Sequence, residues 1–97
     1  MKLFISADIE GCVGTTLASE THKETPEYRQ FAKRMTDEVR IVCQAALEAG
    51  ADEIVVKDGH GDATNIDFTA MPEGVTLIRG KSGRVYGALM SMPTTMK

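Results

Sequence analysis

The chain has 97 residues, 42% of them hydrophobic and 26% charged, with a net charge of −3. That length holds one domain or part of one, and the composition excludes a disordered tail. No block of like charge offers a footprint for nucleic acid, and no apolar run approaches the roughly 20 residues of a membrane span.

Residues 2–7 read as a short apolar strand, buried on both faces. Residues 9 to 24 read as a long loop, and long loops in small domains often carry function. Thr25-Pro26 marks a helix start, with Thr as N-cap and Pro at the first helical position. Glu24 and Glu27 place negative charge at the positive end of that helix. Tyr28, Phe31, Ala32, Met35, Val39, Val42, Cys43, Ala46 and Leu47 then recur at three- and four-residue steps, one face of a helix of roughly six turns. Gly50 ends it.

"DEIVVKD", residues 52–58, is a second buried strand, and "GHGDATNID" a glycine-marked loop. A short helix is expected from Asn65 to Met71, stopping before Pro72. "GVTLIRG", residues 74–80, is a third strand, and Tyr86 to Met92 is expected to begin a helix. Strand, helix, strand is a right-handed βαβ unit. The expected class is therefore α/β, of three-layer type, with a small mostly parallel sheet. Residues 1–97 form one such unit, read as a partial domain because one long helix covers only one face of a parallel sheet.

Ligands of open parallel sheets bind beyond the carboxyl ends of the strands. Here the first strand ends in Asp8-Ile9-Glu10 and the second in Asp58-Gly59-His60. In extended chain, residues i and i+2 share a side, so all four groups can converge at one edge. Carboxylates with an imidazole suit Zn²⁺, with Mn²⁺ or Co²⁺ as alternatives. Each residue also has a plainer reading. An Asp after a strand caps a turn, and a Glu there faces water. A His between two glycines has less claim to the core.

Other groups carry less. Gly11 and Gly14 form a GxxG turn, the basis of a rival reading as a phosphate or nucleotide module, but acids precede it where phosphate would be repelled. Cys12 lies beside the acids and reads as a small packing residue, with ligand or nucleophile as the alternative. His22 reads as a surface residue, with substrate contact as the alternative. Cys43 falls on the helix's apolar face. Two cysteines are too few for a disulfide scaffold, so a reducing cytoplasm is expected. Asp8 interrupts the opening apolar run too early for a secretory leader.

"KLFISADIEGCVG", then "RMTDEV" at 34–39 and "VVKDGHGDATNI" at 55–66, resemble the D-aminopeptidase family of zinc metallopeptidases, of the dipeptide-transport-operon type. The matched motif residues are Asp8, Glu10 and Gly11, then Asp58, His60 and Asn65. "GKSGRVYGA" at 80–88 matches a glycine-marked segment, and the resemblance runs from residue 1 to about 92. It implies metal ligands at Asp8, Glu10 and His60, with Asp58 behind His60 as its orienting partner. It implies two zinc ions per complete site, release of N-terminal D-amino acids from short peptides, and a ring-like homo-oligomer. Members of the family are more than twice as long, and their other ligands and catalytic His lie past the matched part. The resemblance thus implies an amino-terminal part holding a portion of the site. The alternative function is a non-catalytic chain that binds metal through an incomplete site.

Overall fold

The computed structural model describes residues 1–80 throughout, together with the strand backbones at Arg84–Gly87 and Thr94–Thr95. Strand β1 is Lys2–Ala7, helix α1 Tyr28–Glu48, strand β2 Glu53–Asp58 and strand β3 Val75–Arg79. Strands β4, Arg84–Gly87, and β5, Thr94–Thr95, complete a sheet of order β1-β2-β3-β4-β5. The first three strands are parallel. β4 and β5 join antiparallel, so the sheet is α/β and mostly parallel at the end that matters for the site.

α1 begins later than Thr25-Pro26 suggests. The Thr25 hydroxyl turns back toward the His22 carbonyl at 2.9 Å and the Ser19 carbonyl, and no side chain caps the helix, which has Glu27 at its N-cap. Those residues form a turn, and the first helical residue is Tyr28. The other end is as expected. Gly50 has φ +95, and its N–H donates to Leu47 while that of Ala51 donates to Ala46, both at 3.0 Å. This pair of bonds satisfies the last carbonyls through a left-handed residue that glycine adopts at little cost.

The core lies between α1 and one sheet face. Ala32, Met35, Val39 and Cys43 of α1 meet Ile54 and Val56 of β2 and Val75 and Leu77 of β3. Ile9, Ile66 and Met71 belong to the same cluster. β1 is an edge strand with alternating burial, not a strand buried on both faces: Leu3, Ile5 and Ala7 turn toward the core, and Phe4 is 60% exposed. The described residues form two of the expected three layers.

Two local expectations are corrected. The helix expected over 65–71 is only a 3₁₀ turn at Phe68–Ala70, capped by Asp67, whose carboxylate accepts from the Thr69 N–H at 3.0 Å. The helix expected from Tyr86 is a strand at its start, because β4 returns along β3 with Leu77 opposite Tyr86. Edge pairing outweighs local preference there. The rest of that expected helix, 88–92, lies outside the described residues.

Candidate metal centre

β1 and β2 run in register, with Ala7 beside Asp58. Their carboxyl ends therefore leave the sheet side by side. The close fit is sealed by the Gly59 N–H, which donates to the Ala7 carbonyl at 2.8 Å. A Cβ at Gly59 would stand 3.0 Å from that same carbonyl oxygen, so a side chain there requires the β1 backbone to give by a few tenths of an ångström.

After β1 the chain does not stay extended. Asp8 keeps extended dihedrals, but Ile9–Gly11 is a 3₁₀ turn. Ile9 is fully buried and pins this turn to the core. Asp8 and Glu10, on either side of it, point outward with side chains 56% and 59% exposed. The two acids thus converge through a turn anchored by Ile9, rather than through strand pleating.

After β2 the two motif residues part company. Asp58 is fully buried. Its Oδ2 accepts from the main-chain N–H groups of Asn65 at 2.7 Å and Ile66 at 2.8 Å. Its Oδ1 accepts from the Asn65 side-chain amide at 2.9 Å and the His60 main-chain N–H at 3.4 Å. Asn65 also donates to the His60 carbonyl at 2.6 Å and accepts from the Tyr28 hydroxyl. One buried carboxylate therefore organises the whole loop, as a charged acceptor of several N–H bonds does well. Asp58 touches His60 through its backbone, and the ring is left to other partners.

The His60 ring, 16% exposed, reaches both acids. Its Nδ1 lies 3.2 Å from Asp8 Oδ1 and 3.1 Å from Glu10 Oε1. Its Nε2 lies 2.6 Å from the main-chain carbonyl of Thr21. Donor atoms of Asp8, Glu10 and His60 all fall within 4.8 Å of one another. Of the four groups at the strand ends, three come together, and Asp58 stays beneath them.

The electrostatics follow from this crowding. Asp8 is held below the usual carboxylate range, first by a hydrogen bond with the Glu10 carboxyl, which burial opposes, and then by the His60 ring. Desolvation pulls His60 down, but the Thr21 carbonyl and the Glu10 and Asp8 carboxylates outweigh it, and its pKa stands above the ordinary imidazole value. Burial first, then Glu38, Asp8 and Glu10, pushes the Cys12 thiol up to about 11. Cys12 is therefore a neutral thiol near neutral pH, which agrees with packing rather than nucleophilic chemistry.

A cavity of about 670 Å³ opens beside the cluster, with Glu10 and His60 in its lining. One wall is Thr15 to Ala18 with Thr21, His22 and Lys23, and the other is Gly61, Asp62 and Asn65. Lys23 ties the walls together through Asp62 at 2.8 Å and through Thr64. His22 thus lines the cavity. The Thr21 carbonyl and the Lys23–Asp62 tie had no sequence signal, since a backbone oxygen belongs to every residue and the tie spans 39 positions.

The donor set fits a divalent ion. In a neutral His60 that donates to Thr21, Nδ1 is an acceptor facing two carboxylate oxygens, an arrangement that repels unless a cation or proton lies between them. Two oxygens and one nitrogen of this kind suit zinc.

Comparison with known proteins adds to this geometry. The D-aminopeptidase family model matches residues 1–94. A solved structure, the Zn-dependent D-aminopeptidase DppA from Bacillus subtilis, described as a self-compartmentalizing protease, superposes with a TM-score of 0.79 at 27% identity. That match covers 84% of this chain and 30% of DppA. A stretch of 26 residues is 69% identical to argininosuccinate lyase from Lachnoclostridium phytofermentans, spanning 27% of this chain and 6% of the lyase. So short a stretch carries no inference about fold or activity.

Proposed function

Because the chain belongs to the D-aminopeptidase family, we propose that Asp8, Glu10 and His60 are its share of a divalent-metal site in a peptidase that releases N-terminal D-amino acids from short peptides. The observation that carries this is the convergence of two carboxylates and one imidazole within 4.8 Å, at the edge where two parallel strands end. Zinc is the proposed ion, on the chemistry of the donors and the zinc dependence of DppA; Mn²⁺ and Co²⁺ are the alternatives. When bound, such an ion supplies Lewis-acid activation of a peptide carbonyl and of water.

The chain's own residues divide the remaining work. Asp58 and Asn65 hold the loop that carries His60. Ile9 fixes the spacing of Asp8 and Glu10. The adjoining cavity offers room for a short peptide beside the cluster, walled by Thr15, Leu17 and His22 on one side. Three donor residues are few for two ions, so a complete site of the proposed kind draws further ligands from outside the described residues. Assembly with copies of itself is proposed on the self-compartmentalizing relative, and a reducing, cytoplasmic setting on two free thiols.

The test has two arms. Metal analysis and zinc titration of the purified chain are expected to show binding that Asp8→Ala plus His60→Ala removes. No binding, or binding indifferent to those changes, would overturn the metal site. Hydrolysis of a D-alanyl peptide with added zinc then separates an active chain from one that binds metal and turns nothing over. The second outcome is expected for the chain alone, which spans 30% of DppA.

A further inference from the structure

We propose that the main-chain carbonyl of Thr21 is the positioning group of the site: it fixes His60 as the Nε2–H tautomer and thereby offers Nδ1 to a metal held with Asp8 and Glu10. This rests on the reading of those three residues as a metal site.

The argument begins with donors and acceptors. A carbonyl oxygen only accepts, so the ring nitrogen 2.6 Å from it carries the hydrogen. A neutral imidazole has one N–H, which leaves the Nδ1 lone pair free. That nitrogen faces Asp8 Oδ1 at 3.2 Å and Glu10 Oε1 at 3.1 Å, which also only accept, so a proton holds this position without a metal and a bound ion replaces that proton. The opposite tautomer would set an Nε2 lone pair against the carbonyl's own lone pairs at 2.6 Å. Ligation through Nε2 would break this contact and turn that nitrogen away from the wall that holds it. Histidine ligands commonly donate their other N–H to a carbonyl or carboxylate, which fixes the tautomer and raises basicity.

The carbonyl is held in place by its surroundings. Thr21 is 8% exposed, and its hydroxyl donates to the Ala18 carbonyl at 2.8 Å, closing the 3₁₀ turn Ala18–Thr21. Glu20 Oε1 accepts from the N–H groups of Thr16 at 2.8 Å and Leu17 at 2.9 Å at the start of that turn. Two residues past Thr21, Lys23 pairs with Asp62 on the loop that carries His60. The ring is thus gripped from one wall while Asn65 holds its backbone from the other. The motif residue Asp58 does not perform this task, because its oxygens are committed to main-chain and amide N–H groups.

The experiment is long-range ¹H–¹⁵N correlation on labelled protein. The sequence has two histidines, so His22→Gln assigns the His60 ring by elimination. In metal-free protein Nε2 is expected to bear a proton and to show a coupling across the hydrogen bond to the Thr21 carbonyl carbon. One equivalent of zinc is expected to shift Nδ1 while Nε2 keeps its proton. An Nε2 without a proton in the metal-free protein, or zinc on Nε2, would overturn the proposal. An Nε2–H ring coupled to Thr21 but indifferent to zinc would sink the metal reading and leave the positioning role standing.

Discussion

The buried carboxylate of Asp58 accepts both the main-chain and the side-chain N–H of Asn65, at 2.7 and 2.9 Å. These two residues of the matched motif act as one unit beneath the candidate site. Asp58→Ala would leave the buried N–H groups of Asn65 and Ile66 without an acceptor. At about 1–3 kcal/mol for each orphaned group, a loss of roughly 2–6 kcal/mol is expected. Urea denaturation measures it, and zinc affinity should fall in parallel because His60 loses its backbone partner.

Gly59→Ala should destabilise the chain without touching a ligand. Its new Cβ meets the Ala7 carbonyl oxygen at 3.0 Å, and that oxygen belongs to a strand that cannot retreat freely. A cost of about 1–3 kcal/mol is expected for forcing the strands apart. A denaturation midpoint equal to that of the unaltered chain would show that the two strand ends do not press together as described.

Cys12 should be a poor nucleophile. With its thiol at about 11, its thiolate fraction at pH 8 is small, and alkylation by iodoacetamide should run on the order of 100-fold slower than for an unperturbed cysteine. The rate should climb as pH approaches that value. Cys12→Ala should leave zinc stoichiometry unchanged; a loss of bound zinc would make the thiol a ligand.

Glu20 ties down the turn that presents the Thr21 carbonyl. Its carboxyl is held below its ordinary value of 4.5 by the N–H groups of Leu17 and Thr16. A lowered folded pKa contributes stability above the unfolded pKa, lost as pH falls through the folded value. Hydrogen exchange at Thr16 and Leu17 should therefore be slow near neutral pH and quicken, relative to its intrinsic rate, below 4.5. In Glu20→Gln the protection should be weak throughout and lack this pH dependence.

Much of the site was legible in the sequence for reasons that are local. Asp8, Glu10 and His60 follow apolar runs, and parallel strands bring their carboxyl ends to one edge. The grounds for convergence were only partly right. Ile9 is apolar and between two acids, and it turned into the core to make a 3₁₀ turn. Asp58 and His60 share a motif but not a side, because Asp58 continues the buried face of Ile54 and Val56 and the chain bends at His60. Thr25 marks a helix start by its chemistry, yet it sits in a turn and the helix opens at Tyr28.

The sequence by itself determined the βαβ order, the helix stop at Gly50 and the edge at which Asp8, Glu10 and His60 meet, because these rest on period, glycine and strand direction. Tertiary structure alone decided which strand-end acid is buried, which way β4 runs, and which groups grip the His60 ring. Those depend on the contact between Thr21 and His60, and on β4 finding an open edge at β3. Contacts between distant backbone atoms leave no mark on residue type.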